Sequence, residues 1–351
     1  MHSPRAGDVP AWRFRAPGRC PLPRCGRAHG CAPRNGGYDA AIPFAGLRMQ
    51  ALPLSLFQGQ ELVQVGDEHS FLLLAPQSGG RLVRWVHCGE DILYWPDHAD
   101  WSQAARVRGG NPLLFPFIAR HFAEGTPGAW KDAGGVVRAL PNHGFARDLP
   151  FTVTQHEAGR GIAMALQSSD ATRGSYPFEF TFEVAYRLLE DGLEATLRTR
   201  NTGAQALPYY AGHHFYFALA AEARAACSLA MPAAELMRQR EDGSLAANGA
   251  GAASYRLDDA RLQDTFHVLQ APPANPGTCT LAMPHGRRLS IELDSPTPWF
   301  AVTTWSERPD SDFYCVEPWL GLPNAIHHGT GLRWLAPGQE EAAVCRLRLD
   351  R

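Results

Sequence analysis

Lysine is nearly missing from this chain: Lys131 is the only one among 33 basic residues, so cationic contacts fall to arginine. No apolar run approaches the roughly twenty residues that a membrane helix requires, and a soluble chain with no membrane partner is expected. Nor does the stretch ahead of Met49 hold the apolar centre of about seven to fifteen residues that marks a secretory signal. Cys-x-x-Cys pairs, the usual mark of a tight zinc site, are lacking. Long amphipathic helices, internal repeats and a linker that would split the body are lacking as well, which argues against a βαβ fold and against two domains.

Excess charge of one sign is also missing, since the formal net charge is −2. That balance hides an asymmetry. Residues 1–48 carry eight arginines against Asp8 and Asp39, leaving residues 49–351 acidic by eight charges. An acidic body excludes nucleic-acid binding through a basic patch. The basic leader, with Cys20, Cys25, Cys31 and His29, reads as disordered. Three readings stay open for it: an Arg-rich transit peptide, a zinc-binding tail, or an upstream extension outside the functional protein. The position of Met49, directly before the first strand-like pattern, favours the last. The body holds Cys88, Cys227, Cys279, Cys315 and Cys345, an odd number at irregular spacing, as expected of reduced thiols in a cytoplasmic protein.

What is present is period-two alternation. In Tyr176 to Tyr186 every even position is aromatic or β-branched and the odd ones are mostly polar, the pattern of a strand with one buried face. Asp191-Gly192 supplies turn residues into a second alternating run, 193–199. Further strands read at 61–65, 69–75, 81–86, 289–293, 299–304 and 343–349, with brief helical turns near 218–226 and 231–241. Many short strands and few helices predict an all-β, large antiparallel β-sandwich over residues 49–351 as a single domain.

Three strings carry candidate chemistry. Glu317, in Cys315-Val316-Glu317-Pro318-Trp319, is a carboxylate among apolar and aromatic neighbours, where burial would raise its pKa toward that of a base useful near neutrality. The plain alternative is a carboxylate paired with an arginine. His213-His214-Phe215-Tyr216-Phe217 offers two imidazoles that a strand would send to opposite faces, so one of them is expected to be structural. His143, in Asn142-His143-Gly144-Phe145-Ala146-Arg147, lies in a loop where Gly144 lets the backbone approach a ligand and Arg147 can fork onto oxygen; a solvent-exposed turn is the plain alternative. A carboxylate and an imidazole can move protons at two oxygens of one sugar ring.

Taken together and in order, these strings resemble the aldose 1-epimerase (galactose mutarotase-like) superfamily, including its hexose-6-phosphate 1-epimerase relatives. Arg108-Gly109-Gly110-Asn111-Pro112, with Phe115-Pro116 after it, is similar to the family's RGG-x-P and FP string. His143 to Arg147 resembles its HGFAR loop, His214 to Phe217 its H-x-Y-F strand, and Glu317-Pro318-Trp319 its late EPW string. The resemblance implies a galactose mutarotase-like supersandwich that binds a small-molecule sugar and needs no cofactor or metal. It implies Glu317 as the base at the C1 hydroxyl, His214 as the acid at the ring oxygen and His143 as a holder of either oxygen. It further implies Arg108, Asn111, Arg147 and Asp264 as substrate contacts. Trp130, Trp305 and Trp319 are candidate stacking platforms. The alternatives are a hexose-6-phosphate 1-epimerase, with Arg108, Arg120 and Arg147 on the phosphate; a non-catalytic sugar-binding protein; and a lyase or glycosidase on a similar sandwich, which would usually need a second carboxylate.

Because residues 1–48 hold too little apolar surface to offset ordering entropy, a chain beginning at Met49 is expected to melt within about 2 °C of the full-length protein. Loss of soluble expression on that truncation would contradict the reading.

Overall fold

Alternating burial sets the architecture. In the strand Phe180–Leu189, Phe180, Phe182, Val184 and Tyr186 are buried while the residues between them are partly exposed, because successive strand residues point to opposite faces. The computed structural model describes residues 52–270 and 277–350; the basic leader lies outside the described residues. The described residues cluster as one unit.

Two large sheets dominate it. A nine-stranded sheet runs through Phe180–Leu189, Gly192–Asn201, Glu340–Asp350 and Arg288–Glu292 at its centre. An eight-stranded sheet places Ala301–Trp305 beside Phe313–Trp319, which in turn pairs with the short strands Gly212–His213 and Tyr216–Ala218. A five-stranded sheet covers residues 54–91. All named strand pairs are antiparallel. No described helix is long and apolar enough to cross a membrane.

One hydrophobic core joins the three sheets, with Val65, Trp85, Phe115, Phe182, Val184, Val302 and Val316 among its members. The ring of Phe115 stacks on that of Phe182 at 4.3 Å, a contact worth about a kcal/mol beyond the area it buries. On its other face the five-stranded sheet carries Leu62, Leu73 and Val83, packed against Trp95 and Trp101. The fully buried Arg81 guanidinium fixes that cover, donating to the carbonyls of Ala104 and Val107.

Three sequence expectations shift. The turn expected near 231–241 is the strand Ala234–Gln239, paired with Leu245–Ala250 and Thr265–Leu269; its helix-forming residues follow their neighbours, since tertiary pairing overrides local propensity. The strand expected from Tyr176 begins at Phe180, after a bend in which the Tyr176 hydroxyl donates to the Pro208 carbonyl. Leu189 pairs with Gly192, so the turn residues are Glu190 and Asp191. A turn at Ala221–Ala226 agrees with the pattern.

Asn111 ties the two large sheets together. It is fully buried, and its amide donates to the Tyr186 hydroxyl at 2.8 Å and to His213 Nδ1 at 2.9 Å. Its Oδ1 accepts the backbone N–H of His214 at 2.8 Å. Asn111→Ala would strand three buried polar groups, each costing about 1–3 kcal/mol. A loss of about 3 kcal/mol or more in urea unfolding is expected, and a loss below about 1 kcal/mol would contradict this account.

Candidate active site

Strand register builds the site. Gly212 pairs with Trp319 and Tyr216 with Cys315, so the same register continued through the gap sets His214 opposite Glu317. On the other flank Thr303 pairs with Glu317 and Trp305 with Cys315. Cross-strand partners share a face, which gathers His214, Tyr216, Thr303, Trp305, Cys315, Glu317 and Trp319 on one surface of the eight-stranded sheet. Tyr314 and Val316 point the other way, into the large core, whereas Cys315 packs with Tyr216 and Phe313 in a small separate cluster.

His214 Nδ1 stands 3.4 Å from Glu317 Oε1 and both side chains are buried, yet that nitrogen has no hydrogen-bond partner. The imidazole is clamped between rings: it stacks on Tyr216 at 4.6 Å and 4°, and meets the edge of Trp305 at 5.8 Å. The other carboxylate oxygen, Oε2, accepts from the Trp319 indole at 3.2 Å, which orients the group. Its neighbour His213 faces the interior, buried against Phe215 and Trp299.

His143 reaches the same place from a loop. Gly144 follows it at φ 76°, where an added Cβ would meet the Phe115 carbonyl at 2.1 Å, so only glycine lets this loop dock. The backbone N–H of His143 donates to Ala119 O at 3.0 Å, and Ala119 N–H donates to His143 Nδ1 at 3.1 Å. An Nδ1 that accepts leaves the proton of the neutral ring on Nε2. His143 meets His214 and Trp319 edge-on, at 5.5 and 6.2 Å between ring centres, so the side chain presents a fixed N–H donor beside the pair.

Burial raises the Glu317 carboxyl well above its ordinary range, assisted by the charge of Asp264. Burial also lowers His214, reinforced by the guanidiniums of Arg147, Arg81 and Arg108. Both shifts favour the uncharged forms, a protonated carboxyl beside a neutral imidazole. His143 is likewise lowered, first by burial and then by His214 and Arg147, and is neutral near pH 7.

Of the residues singled out in the sequence, the fold brings His143, His214 and Glu317 together. Arg108 lies beside them, its guanidinium 5.3 Å from the centre of the Trp305 ring and its Nε 3.3 Å from Glu307 Oε1. Arg147 donates to the Asn142 carbonyl and is half-buried. Asp264 is exposed, at φ 49°, close enough for its charge to act on Glu317. Asn111 is fully buried, its amide engaged by Tyr186, His213 and the backbone of His214. Arg120 bonds Gln239 rather than joining the other arginines, and Trp130 is core. Sequence reasoning missed Arg81, whose charge reaches His214; an arginine opening the apolar run Leu82-Val83 was the available signal. It missed Thr303 as well, which has none.

A family profile described as aldose 1-epimerase matches residues 61–348. A Salmonella typhimurium protein named as a putative glucose-6-phosphate 1-epimerase is 30% identical over 114 residues, covering 31% of this chain and 34% of that protein. A protein of the same name from Escherichia coli K12 is 29% identical over an equal length. The matched stretch thus spans about a third of those curated relatives. Among solved structures, a Synechocystis sp. PCC 6803 protein is 25% identical, with a TM-score of 0.67 over 82% of this chain and 95% of its own. A galactose mutarotase related enzyme from Lactobacillus acidophilus shares the fold at 20% identity and a TM-score of 0.66, over 83% of this chain and 97% of its own.

Buried neutral histidines govern the response to acid. Burial pushes His213 down to about 3, and His121 and His267 down to about 4. Unfolding returns each toward 6.5, so below that pH the unfolded chain binds more protons and stability falls as pH falls. Each histidine contributes up to about 1.4 kcal/mol per pH unit, and the raised Glu317 opposes them. Urea unfolding at pH 7 and pH 5 should differ by about 3 kcal/mol or more, with pH 5 the weaker. An unchanged midpoint would refute the assignment.

Proposed function

The chain belongs to the aldose 1-epimerase family, and from that premise we propose that it interconverts the α and β anomers of a hexose by opening and reclosing the ring. The observation that carries this reading is the Glu317–His214 pair at 3.4 Å beside the Nε2–H of His143. The ring oxygen and the C1 hydroxyl share one carbon, so a base for one and an acid for the other must stand side by side, as these do.

Once the proton held by Glu317 has passed to the neighbouring His214, Glu317 takes the proton of the C1 hydroxyl, whose O–H electrons become the second bond of the aldehyde. The C1–O5 bond breaks, and O5 receives a proton from His214. Rotation about C1–C2 turns the other face of the carbonyl to O5, and reclosure returns both protons. Because closure is opening run backwards, the acid and the base exchange roles within one turnover. Burial acts in opposite directions on the carboxylate and the imidazole, favouring the neutral form of each. His143 stabilises negative charge as it develops on either oxygen, as a preorganised neutral donor.

A second reading, a hexose 6-phosphate as substrate, is favoured by the convergence of Arg81, Arg108 and Arg147 near His214, since the fully buried Arg81 hydrogen-bonds only carbonyl oxygens. The names of the curated relatives point the same way. Polarimetry or NMR of anomer exchange, run side by side on free and 6-phosphorylated hexoses, tests both readings.

Exchange is expected to persist in EDTA. Glu317→Gln and His214→Asn should each lower kcat about 10²-fold or more while circular dichroism stays native. His213→Asn should instead lower stability and leave kcat within a few fold. Loss of activity in His213→Asn with His214→Asn nearly silent would transfer the acid to His213.

A further inference from the structure

Cys315 is a buried thiol for which ring opening has no use. It nevertheless faces the catalytic pair, two residues before Glu317 on one strand and across from Tyr216 on the next. One ligand atom each from His214, Cys315 and Glu317 lies within 4.8 Å of the others, and all three residues are buried. Two observations independent of this clustering mark the spot. His214 Nδ1 is buried without a hydrogen-bond partner, and so is Thr303 Oγ1, on the residue paired with Glu317. Two orphaned polar atoms beside a thiol, an imidazole and a carboxylate describe a place prepared for a ligand.

We propose that His214, Cys315 and Glu317 form an inhibitory site for a thiophilic divalent cation, with Zn2+ as the ion that fits best. Zinc bonds of about 2.3 Å to sulfur and 2.0–2.2 Å to nitrogen or oxygen put tetrahedral neighbours about 3.5 Å apart. The His214–Glu317 separation of 3.4 Å meets that spacing already. The thiol needs a side-chain adjustment of roughly 1 Å to complete three corners. The fourth corner is left for a water or a sugar oxygen.

A thiol and an imidazole select against magnesium and calcium, which prefer all-oxygen shells. Binding releases two protons, one from the thiol and one from the carboxyl, while the neutral imidazole gives its lone pair and no electron is transferred. The thiolate and carboxylate thus offset both charges of the ion, which matters here because Arg81, Arg108 and Arg147 repel a bare cation. An ion seated there holds the acid and the base at once, and turnover stops.

The inhibitory half of this inference rests on the functional reading above; the binding half does not. Co2+ is the probe, added to the full chain under a non-thiol reductant. One equivalent should give a thiolate-to-cobalt charge-transfer band in the near ultraviolet that Zn2+ removes. The band should weaken at least ten-fold in Cys315→Ser and persist when Cys20, Cys25 and Cys31 are all changed to serine. Zinc should inhibit anomer exchange reversibly by EDTA, and Cys315→Ser should need at least ten-fold more of it. A band undiminished in Cys315→Ser, or no band at all, overturns the site. If circular dichroism shows Cys315→Ser unfolded, Cys315→Ala and Glu317→Gln carry the same spectroscopic comparison. A chain with the Cys315-dependent band but without anomer exchange would sink the functional reading and keep the site; exchange without the band does the reverse.

Discussion

The buried amide of Asn111 is the contact on which the site depends. Between the paired residues Gly212 and Tyr216, the strand facing Phe313–Trp319 leaves its ladder, and the backbone N–H of His214 would be orphaned there without the Asn111 carbonyl. A buried N–H with no partner is costly, so this acceptor permits the irregularity. The same amide holds His213 and Tyr186, which fixes the gap against the nine-stranded sheet. His213 and His214 therefore diverge: one ring completes a core network, and the other is released toward Glu317. A regular ladder would also send them to opposite faces, but it would not anchor either.

Burying a carboxylate beside an imidazole opposes stability. Desolvation penalises their charged forms, and among the described residues no arginine or lysine pairs with the carboxylate. Tyr216 and Trp305 wall the imidazole, and the Trp319 indole N–H orients the carboxylate. The three guanidiniums shift the balance further, disfavouring an imidazolium at His214 until an oxygen with developing negative charge is present. Proteins commonly sacrifice local stability at such sites and recover it elsewhere; here the recovery comes from the aromatic core around Phe115, where Phe182, Phe180, Phe145 and Tyr176 meet.

The sequence made the fold class legible because alternation is a direct image of a two-faced strand. Phe180 to Tyr186 and Ala343 to Leu349 show it plainly, each having one dry face. Ala234–Gln239 hid its strand because alanine, glutamate, leucine, methionine and arginine all favour helix, and only its neighbours on either side select extension. The meeting of Glu317, His214 and His143 followed from a family likeness rather than from any local pattern. The internal partners of Asn111 were not legible for a related reason: they lie on strands remote from it in sequence. Arg81 was missed because its approach to His214 is set by the packing of strands remote in sequence.

Backbone strain at the cleft fits this division between core and site. His143, Ala119 and Asp264 adopt left-handed angles, with φ of 66°, 59° and 49°, although each carries a Cβ. Such a conformation costs about 1–3 kcal/mol per residue and persists only where surrounding bonds over-determine it. For His143 and Ala119 those bonds are reciprocal, N–H to carbonyl in one direction and N–H to Nδ1 in the other. The bond that stabilises the strained loop is therefore the bond that assigns the histidine tautomer. Relaxing the loop would free Nδ1 and leave the proton to either nitrogen, so the strain and the donor aimed at the sugar are parts of one arrangement.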